Sequence, residues 1–302
     1  RVGPDSMKPL ALLAVHHWDP NAPVDPPVRI SGVHRPIWEP LMEMFWIPAG
    51  AQPEPIRQER QVWLEDVEIL FARETTDPQR GLTLAAKGSH NAESHNHNDV
   101  GHFIVFLNGG PGIIDIGRES YTRQTFSSQR YELWFTRGSG HNAPVVNGVE
   151  QVAGGQRRAT NVEYEETGEG VRLSMNLEEA YPGEAGIRSL RRTFALRRGG
   201  DAQIEIADTF EMVKPGGDFV LNLYSHPRAT IVKPGRIAID CEPSALLLEY
   251  DPETLSADIE RVPITDEKLQ EGWGESLHHI RLQYANAPVK GEYGFRFFEA
   301  GE

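Results

Sequence analysis

The stretch HFIVFLNGGPGIIDIG, residues 102–117, contains two apolar runs on either side of the tetrapeptide NGGP. An Asn-Gly pair favours the backbone conformations of a tight turn, and the flanking runs are rich in residues typical of strands. The stretch therefore predicts an antiparallel β-hairpin that turns at Asn108–Pro111. In such a hairpin Asp115 lies opposite about Ile104 and becomes a same-face diagonal neighbour of His102.

Similar runs recur from residue 61 to the end of the chain. Many alternate with a period near two, are bounded by Gly, Pro, Asn or Asp, and are too closely spaced for crossover helices. The other runs are VWLEDVEILF, VRLSMNL, RRTFALR, AQIEIADTF, DFVLNLYS, ALLLEY, IRLQYA and YGFRFF. Together they predict an all-β domain, a large and mostly antiparallel β-sandwich of two packed sheets.

Residues 1–60 have a different composition. Eleven of the 22 prolines fall within the first 55 residues, and two pieces, MKPLALLAVHHWD and WEPLMEMFWIP, each predict a short helix that stops before a proline. We interpret residues 1–60 as the tail of an upstream helical domain plus a linker, and residues 61–302 as the sandwich. Because the first residue is Arg1, we expect the chain to be a fragment or a processed product.

Charge and cysteine content exclude several classes of function. A formal net charge of −14 argues against broad electrostatic capture of nucleic acid or of an anionic membrane. With Cys241 as the only cysteine, the chain can form neither an intrachain disulfide nor a Cys-based zinc site. Residues 118–158 nevertheless carry six arginines against three acids, which fits either a site for a small anionic ligand or a solvated face with scattered charge.

Five of the eleven histidines lie between residues 90 and 141. A His-x-His pair on a strand or its lead-in, here His95 and His97, points both rings to one side. Asp115 is an acid inside an apolar run, where a carboxylate is costly unless it is paired or bound to a metal. With His141 in a glycine-rich loop, two histidines and one aspartate predict a zinc site that leaves a fourth position for water or an anion.

Two histidines compete for one position in this site. His102 is the hairpin neighbour of Asp115, whereas His97 reaches Asp115 only if residues 97–101 fold back. The Asn, Asp and Gly in that segment permit such a turn. The residues alone leave both ligands open.

The order of these motifs resembles one known family. The segments SHNHNDVGHFIVFLNGGPGIIDIGRESYT and SSQRYELWFTRGSGHNAPVVNGVEQ, within residues 94–151, are similar to the C-terminal β-sandwich of the heparinase II/III-like polysaccharide lyases. Residues 152–302 agree only in their strand-rich character. The resemblance implies an α/α toroid followed by a multi-sheet sandwich of the supersandwich kind. It also implies β-elimination of uronic-acid polysaccharides such as heparan sulfate or alginate.

The resemblance assigns roles to four residues. It implies that His95 is catalytic and that His97, Asp115 and His141 hold a structural zinc ion. It further implies that the upstream toroid supplies a tyrosine and a carboxylate-neutralising group, so we expect this chain alone to be inactive. The family also implies a periplasmic or secreted enzyme.

The chemistry of β-elimination indicates further candidate residues for catalysis and substrate binding. Removing the C5 proton of a uronate places negative charge next to a carboxylate, which donors from His, Asn or Arg stabilise. A base takes this proton and an acid protonates the leaving O4. We expect His95 as base or carboxylate contact. The other candidates are Tyr121 for catalysis and Asn96, Arg118, Arg130 and Tyr131 for substrate binding, with packing or a surface position as their alternative.

Two other functions fit parts of the sequence. A cupin-type metal oxygenase also begins with His-x-His, but it usually has a glutamate four or five residues later, where this chain has Gly101 and His102. A non-catalytic carbohydrate-binding sandwich needs no toroid at all.

Overall fold

The computed structural model describes residues 59–301, which form nineteen strands and one α-helix. The strands are β1 Gln61–Leu64, β2 Ile69–Arg73, β3 Leu82–Lys87, β4 His90–Asn91, β5 Phe103–Leu107, β6 Gly110–Ile113, β7 Pro144–Val146, β8 Gly154–Arg158, β9 Thr160–Thr167, β10 Gly170–Asn176, β11 Ile187–Arg197, β12 Gln203–Met212, β13 Gly217–Ser225, β14 Ala229–Lys233, β15 Arg236–Ile239, β16 Leu246–Tyr250, β17 Ser256–Pro263, β18 Ser276–Ala287 and β19 Lys290–Glu299. Helix α1 is Glu267–Trp273, and short 3-10 helices span Glu65–Val67, Gln124–Phe126, Arg130–Glu132, Gly138–Gly140, Glu178–Ala180 and Gly183–Ala185.

The strands form four sheets, and the strand pairs within the described residues are antiparallel. The largest sheet has eight strands in the order β14-β15-β16-β19-β12-β11-β10-β9. A five-stranded sheet has the order β1-β2-β3-β5-β6, a four-stranded sheet has the order β17-β18-β13-β7, and β4 pairs with β8. Most consecutive strands are joined by connections too short for a crossover helix, which favours antiparallel pairing.

The main core lies on one face of the eight-stranded sheet. Buried and more exposed side chains alternate along β11 and β12, as expected when one sheet face is covered. Phe103 of β5 packs against Phe194 of β11, with ring centroids 5.8 Å apart. Phe219 of β13 packs against Phe210 of β12, with ring centroids 4.5 Å apart. The five-stranded and four-stranded sheets therefore cover the same face side by side.

A smaller core lies on the other side of the four-stranded sheet. It contains Ile114, Phe135, Tyr224 and Leu269, the last from helix α1. The side chain of Asp266 caps α1 by accepting a hydrogen bond from the backbone N–H of Leu269, at 3.1 Å. This core holds the segment between β6 and β7 against the sheet, and that segment carries much of the candidate site.

The predicted all-β antiparallel sandwich is confirmed, and so is the hairpin at Asn108. Leu107 pairs with Gly110, so Asn108 and Gly109 form the turn, and both have positive φ values of 50° and 77°. Positive φ at both central residues is the geometry that an Asn-Gly turn supplies. His102 and Asp115 are neighbours as expected, with His102 Nε2 3.2 Å from Asp115 Oδ2.

Four details differ from the sequence-based expectation. The second layer is divided into two sheets instead of one. The run VWLEDVEILF is a hairpin, because the 3-10 helix Glu65–Val67 interrupts it between β1 and β2. Eight strands fall outside the runs quoted above: β3, β4, β7, β8, β9, β14, β15 and β17. Of these, β9 and β17 lie at sheet edges and are rich in charged residues, as edge strands often are, and β4 and β7 are only two and three residues long. Asp115 lies just after β6 rather than inside a strand.

The helices expected in residues 1–58 lie outside the described residues, and the division of the chain near residue 60 stays a prediction. Within residues 59–301 no helix is long and apolar enough to cross a membrane.

Candidate functional site

Residues 92–102, between β4 and β5, form a folded-back loop that carries three histidines. The backbone N–H of Asn98 donates to the carbonyl of Thr136 at 2.9 Å. The buried side chain of Gln151 accepts from the N–H of Val100 at 3.0 Å and donates to the Val100 carbonyl at 2.7 Å. This fold-back brings the His97 ring beside that of His141, whereas the ligand atoms grouped with Asp115 are those of His102 and His141.

His95 is exposed and stands at the tip of this loop. Its φ is +59°, a left-handed conformation that costs a non-glycine residue free energy and that clusters at functional sites. The ring stacks on Tyr121, with centroids 5.6 Å apart and planes 6° apart, and Nδ1 lies 3.3 Å from the Tyr121 hydroxyl. The guanidinium of Arg118 lies 4.5 Å from the centre of the Tyr121 ring. His95, Tyr121 and Arg118 therefore form an exposed acid-base and cationic group.

Arg130 supports the loop through its main chain. Its guanidinium donates to the carbonyls of His95 at 2.8 Å, of Asn96 at 3.0 Å and of Thr125 at 2.9 Å. Charge-assisted bonds of this kind are stronger than neutral ones, so they help to hold His95 in its strained conformation.

The side chain of Asn96 is also committed to the loop. It is buried, and its amide group donates to the Tyr131 hydroxyl and to the Asn98 side chain, both at 3.2 Å. Its oxygen accepts from the N–H of Glu93 at 3.2 Å. In this arrangement Asn96, Arg130 and Tyr131 position the loop, and their direct contact with substrate stays a prediction.

A buried His-Asp-His group lies behind this surface. Asp115 Oδ2 is 3.0 Å from His141 Nδ1 and 3.2 Å from His102 Nε2, and the ligand atoms of the three residues lie within 4.8 Å of one another. Nε2 of His102 and Nε2 of His141 are buried without a hydrogen-bond partner among residues 59–301. The His97 ring centroid is 5.1 Å from that of His141. Imidazole and carboxylate donors with unsatisfied nitrogens fit a zinc ion, so the group can hold a metal.

Burial and charge set the protonation states of this group, which favour metal binding at His97 and His102 and oppose it at His141. Burial lowers the pKa of His97 and of His102 to about 4, so both rings are neutral at pH 7 and keep a lone pair. Burial opposes the charge of Asp115, but the adjacent His141 and His102 outweigh it and hold its pKa well below the usual range. Burial alone would lower the pKa of His141, but the adjacent Asp115 carboxylate has the larger effect. The pKa of His141 is therefore raised.

The two rings of the His-x-His pair separate, contrary to the expectation of a common side. Residues 95–97 lie in a loop rather than on a strand, so the alternation of side chains along a strand does not apply. His95 faces Tyr121 at the surface, whereas the half-buried His97 faces Phe135 and His141.

Sequence reasoning missed two buried residues that hold in place the segments carrying the His-Asp-His group. Asn142 is buried and joins β5, the end of β6 and β13 through its side chain. Arg192 of β11 is fully buried, binds Asp208 of β12, and donates to the carbonyl of Gly101 at 3.0 Å. Asn142 could have been noticed from its place directly after His141 in GHNAP, whereas nothing in the local sequence distinguishes Arg192 from neighbouring arginines.

Residues 82–274 match the family described as heparinase II/III-like, C-terminal. The chain belongs to this family. Among solved structures, heparan sulfate lyase HepC from Pedobacter heparinus superposes with a TM-score of 0.66 at 12% identity, covering 88% of this chain and 41% of that one. A heparinase III superposes with a TM-score of 0.63 at 14% identity, covering 88% of this chain and 40% of its own.

At these identities the structural likeness concerns the fold. The chain spans about two fifths of the length of these structures, 41% and 40%. A search of curated protein sequences found no match. Family membership gives the cupin-type alternative no support, because the match extends through both segments that carry the histidines.

Proposed function

We propose that the chain is the sandwich domain of a polysaccharide lyase that cleaves uronic-acid polysaccharide by β-elimination, together with an upstream helical toroid. The observation that carries this proposal is the exposed His95, strained, held by Arg130 and hydrogen-bonded to Tyr121 beside Arg118. A general acid or base must lie within hydrogen-bond reach of its partner, and the His95–Tyr121 pair meets that requirement.

In the proposed reaction the two side chains divide the proton transfers. His95 takes the C5 proton or binds the uronate carboxylate, and Tyr121 shares a proton with it through the 3.3 Å contact. The Arg118 cation favours the extra negative charge that develops next to that carboxylate, as preorganised donors do. The toroid supplies the remaining acid or base and the groups that grip the polymer.

The metal in this proposal is structural. Asp115 and His141 bind it with one further histidine, His97 by family resemblance or its rival His102. Zinc bound there supplies cross-linking of the loops rather than chemistry on the substrate. We expect about one zinc per chain, since the group offers three protein donors.

The proposed partners follow from the resemblance. They are an acidic polysaccharide or oligosaccharide and the helical toroid, with the enzyme acting in the periplasm or outside the cell. The net charge of −14 disfavours nucleic acid and anionic membrane as partners.

The test is an elimination assay on the full natural protein with heparan sulfate, alginate and related uronic-acid polymers. The unsaturated uronate formed by β-elimination absorbs in the ultraviolet, so turnover is followed directly. His90→Ala, a change in the same segment but away from the Tyr121 contact, serves as the matched control for His95→Ala. Carbohydrate binding with no unsaturated product on any polymer would contradict the proposal and favour the non-catalytic carbohydrate-binding alternative.

A further inference from the structure

The backbone amide of Asn142 contacts the ring of His102. Its N–H donates to His102 Nδ1 at 2.9 Å, and both residues are buried. The Asn142 side chain is fixed as well, because it donates to the carbonyls of Phe103 at 2.7 Å and Ile114 at 2.9 Å and accepts from the N–H of Tyr224 at 3.0 Å. With three elements attached to it, Asn142 has little freedom to turn its amide away from His102.

This contact determines which nitrogen of His102 carries the proton. A backbone N–H can only donate, so Nδ1 must present its lone pair to Asn142. A neutral imidazole has one N–H and one lone pair, and the proton therefore sits on Nε2. That Nε2 faces Asp115 Oδ2 at 3.2 Å, a close polar contact that falls short of hydrogen-bond geometry in this structure.

A proton on Nε2 conflicts with metal binding by the same atom. Histidines that bind metals use one nitrogen for the ion and donate a hydrogen bond from the other. His102 has the reverse arrangement, because its second nitrogen accepts a hydrogen bond. Binding a metal at Nε2 would require either a doubly deprotonated ring or loss of the Asn142 contact, which would leave a buried backbone N–H unsatisfied.

We propose that His102 is a positioning residue, whose Nε2–H faces and orients the Asp115 carboxylate, rather than a ligand of the metal. His97, whose ring lies beside His141, then remains as the second histidine ligand. Asn142 sets the ring of His102, and Arg192 anchors both flanks by donating to the carbonyls of Gly101 at 3.0 Å and Asn142 at 3.4 Å. This inference rests on the proposed metal site for its purpose but not for its geometry.

The first test measures the tautomer of His102 in the absence of metal. Nitrogen-15 NMR of the histidine rings in the metal-free 302-residue chain at pH 7.5 should show His102 with a protonated Nε2 and a bare Nδ1. A proton on Nδ1 would overturn the inference. His102→Asn, which removes one set of ring signals, assigns the resonances.

The second test uses two substitutions of His102, each of which places an amide atom near the position of one ring nitrogen. The amide nitrogen of His102→Gln can reach the place of Nε2 and donate to Asp115, whereas the oxygen of His102→Asn can replace only Nδ1. Zinc affinity, measured by competition with a chelator, should fall less than about tenfold in His102→Gln and about 10–100-fold in His102→Asn, the range for lost outer-shell partners.

A ligand variant and a remote variant complete the comparison. His97→Gln should abolish stoichiometric zinc binding, and His226→Gln, at an exposed position that is not part of the His-Asp-His group, should leave it unchanged. Loss of zinc from His102→Gln with retention in His97→Gln would make His102 the ligand and overturn the inference. If the wild-type chain binds no zinc, the proposed metal site fails, while the tautomer measurement still decides the role of His102.

Discussion

At the scale of single residues, His95 joins exposure to backbone strain. Its left-handed φ of +59° would suit glycine, yet the chain places an imidazole there and fixes the carbonyl with Arg130. Such strain costs on the order of 1–3 kcal/mol and persists only where the surroundings enforce it. A residue kept at that cost, with its ring in solvent, is expected to serve chemistry rather than stability.

Two substitutions of His95 separate its effect on catalysis from its effect on stability. His95→Ala should lower the elimination rate of the full protein by at least about a hundredfold, the effect of removing a general acid or base, without lowering the melting temperature. His95→Gly should lose activity equally but gain about 1 kcal/mol of stability, because glycine accepts positive φ. Thermal unfolding beside the rate assay checks both, and a large loss of stability in either variant would contradict the assignment.

His279 gives the chain a dependence of stability on pH. It stacks on Tyr224 at 4.5 Å and contacts Asn222 at 2.9 Å, and burial lowers its pKa to about 4. The unfolded ring takes up a proton near its ordinary pKa of about 6.5, whereas the folded ring does not. Unfolding is therefore favoured as pH falls from about 6.5 to about 4, and this contribution to stability is intact above that range.

We expect His279→Gln to flatten this dependence. Urea denaturation at pH 7.5 and pH 5 should show a smaller stability difference in the variant than in the wild type, by roughly 1–2 kcal/mol. His226→Gln is the matched control, since that ring is exposed. An unchanged difference in His279→Gln would show that other groups carry the pH dependence.

At the scale of elements, neighbouring strands β11 and β12 supply a buried ion pair. Arg192 and Asp208 are opposite each other in register, both fully buried, and joined by two hydrogen bonds of 2.8 and 2.6 Å. Burying two charges is expensive, and a well-packed apolar pair is often as stable. The pair therefore contributes more through the carbonyl of Gly101, which it holds in place, than through its own attraction.

Removing one partner of this ion pair should lower the stability more than replacing both partners with apolar residues. Arg192→Met alone should destabilise the chain by about 3–5 kcal/mol, because Asp208 is left as a buried unpaired charge. The double variant Arg192→Met/Asp208→Leu should recover part of that loss but not the zinc affinity, since the bond to the Gly101 carbonyl is absent in both. Equal stability of the single and double variants in urea denaturation would refute this account.

At the scale of the whole molecule, folding of the sandwich and catalysis of the elimination depend on different parts of the protein. Residues 59–301 contain a large continuous core, which is enough apolar burial for independent folding. The proposed reaction needs groups that the family places on a toroid, and losing several cooperating groups is far more damaging than losing one.

We therefore expect the 302-residue chain alone to unfold cooperatively but to give no measurable elimination. Circular dichroism on heating should show one sharp transition, and the ultraviolet assay should stay flat with polymers that the full protein cleaves. Robust turnover by the chain alone would mean that Tyr121, Tyr131 and the arginine-rich segment complete a site without the toroid.

The fold was predictable because its signals are local. The hairpin at Asn108 and the apolar runs follow from turn chemistry and from alternation within a few residues. Strands β9 and β17 were not predictable, because polar edge strands bury few apolar residues, and the two- and three-residue strands β4 and β7 are too short to show an alternating pattern. The site was predictable only as a set of residue types: Arg130 and Asn142 act through backbone contacts between distant segments, which no spacing encodes.

The bond between Arg192 and the Gly101 carbonyl also bears on the order of folding. It joins residues 91 positions apart, so it can form only after the eight-stranded sheet has packed against the folded-back loop between β4 and β5. Contacts that close such long loops form slowly. During refolding, zinc uptake at the proposed site should consequently lag behind the gain of strand signal, so that the site is completed in the last kinetic phase.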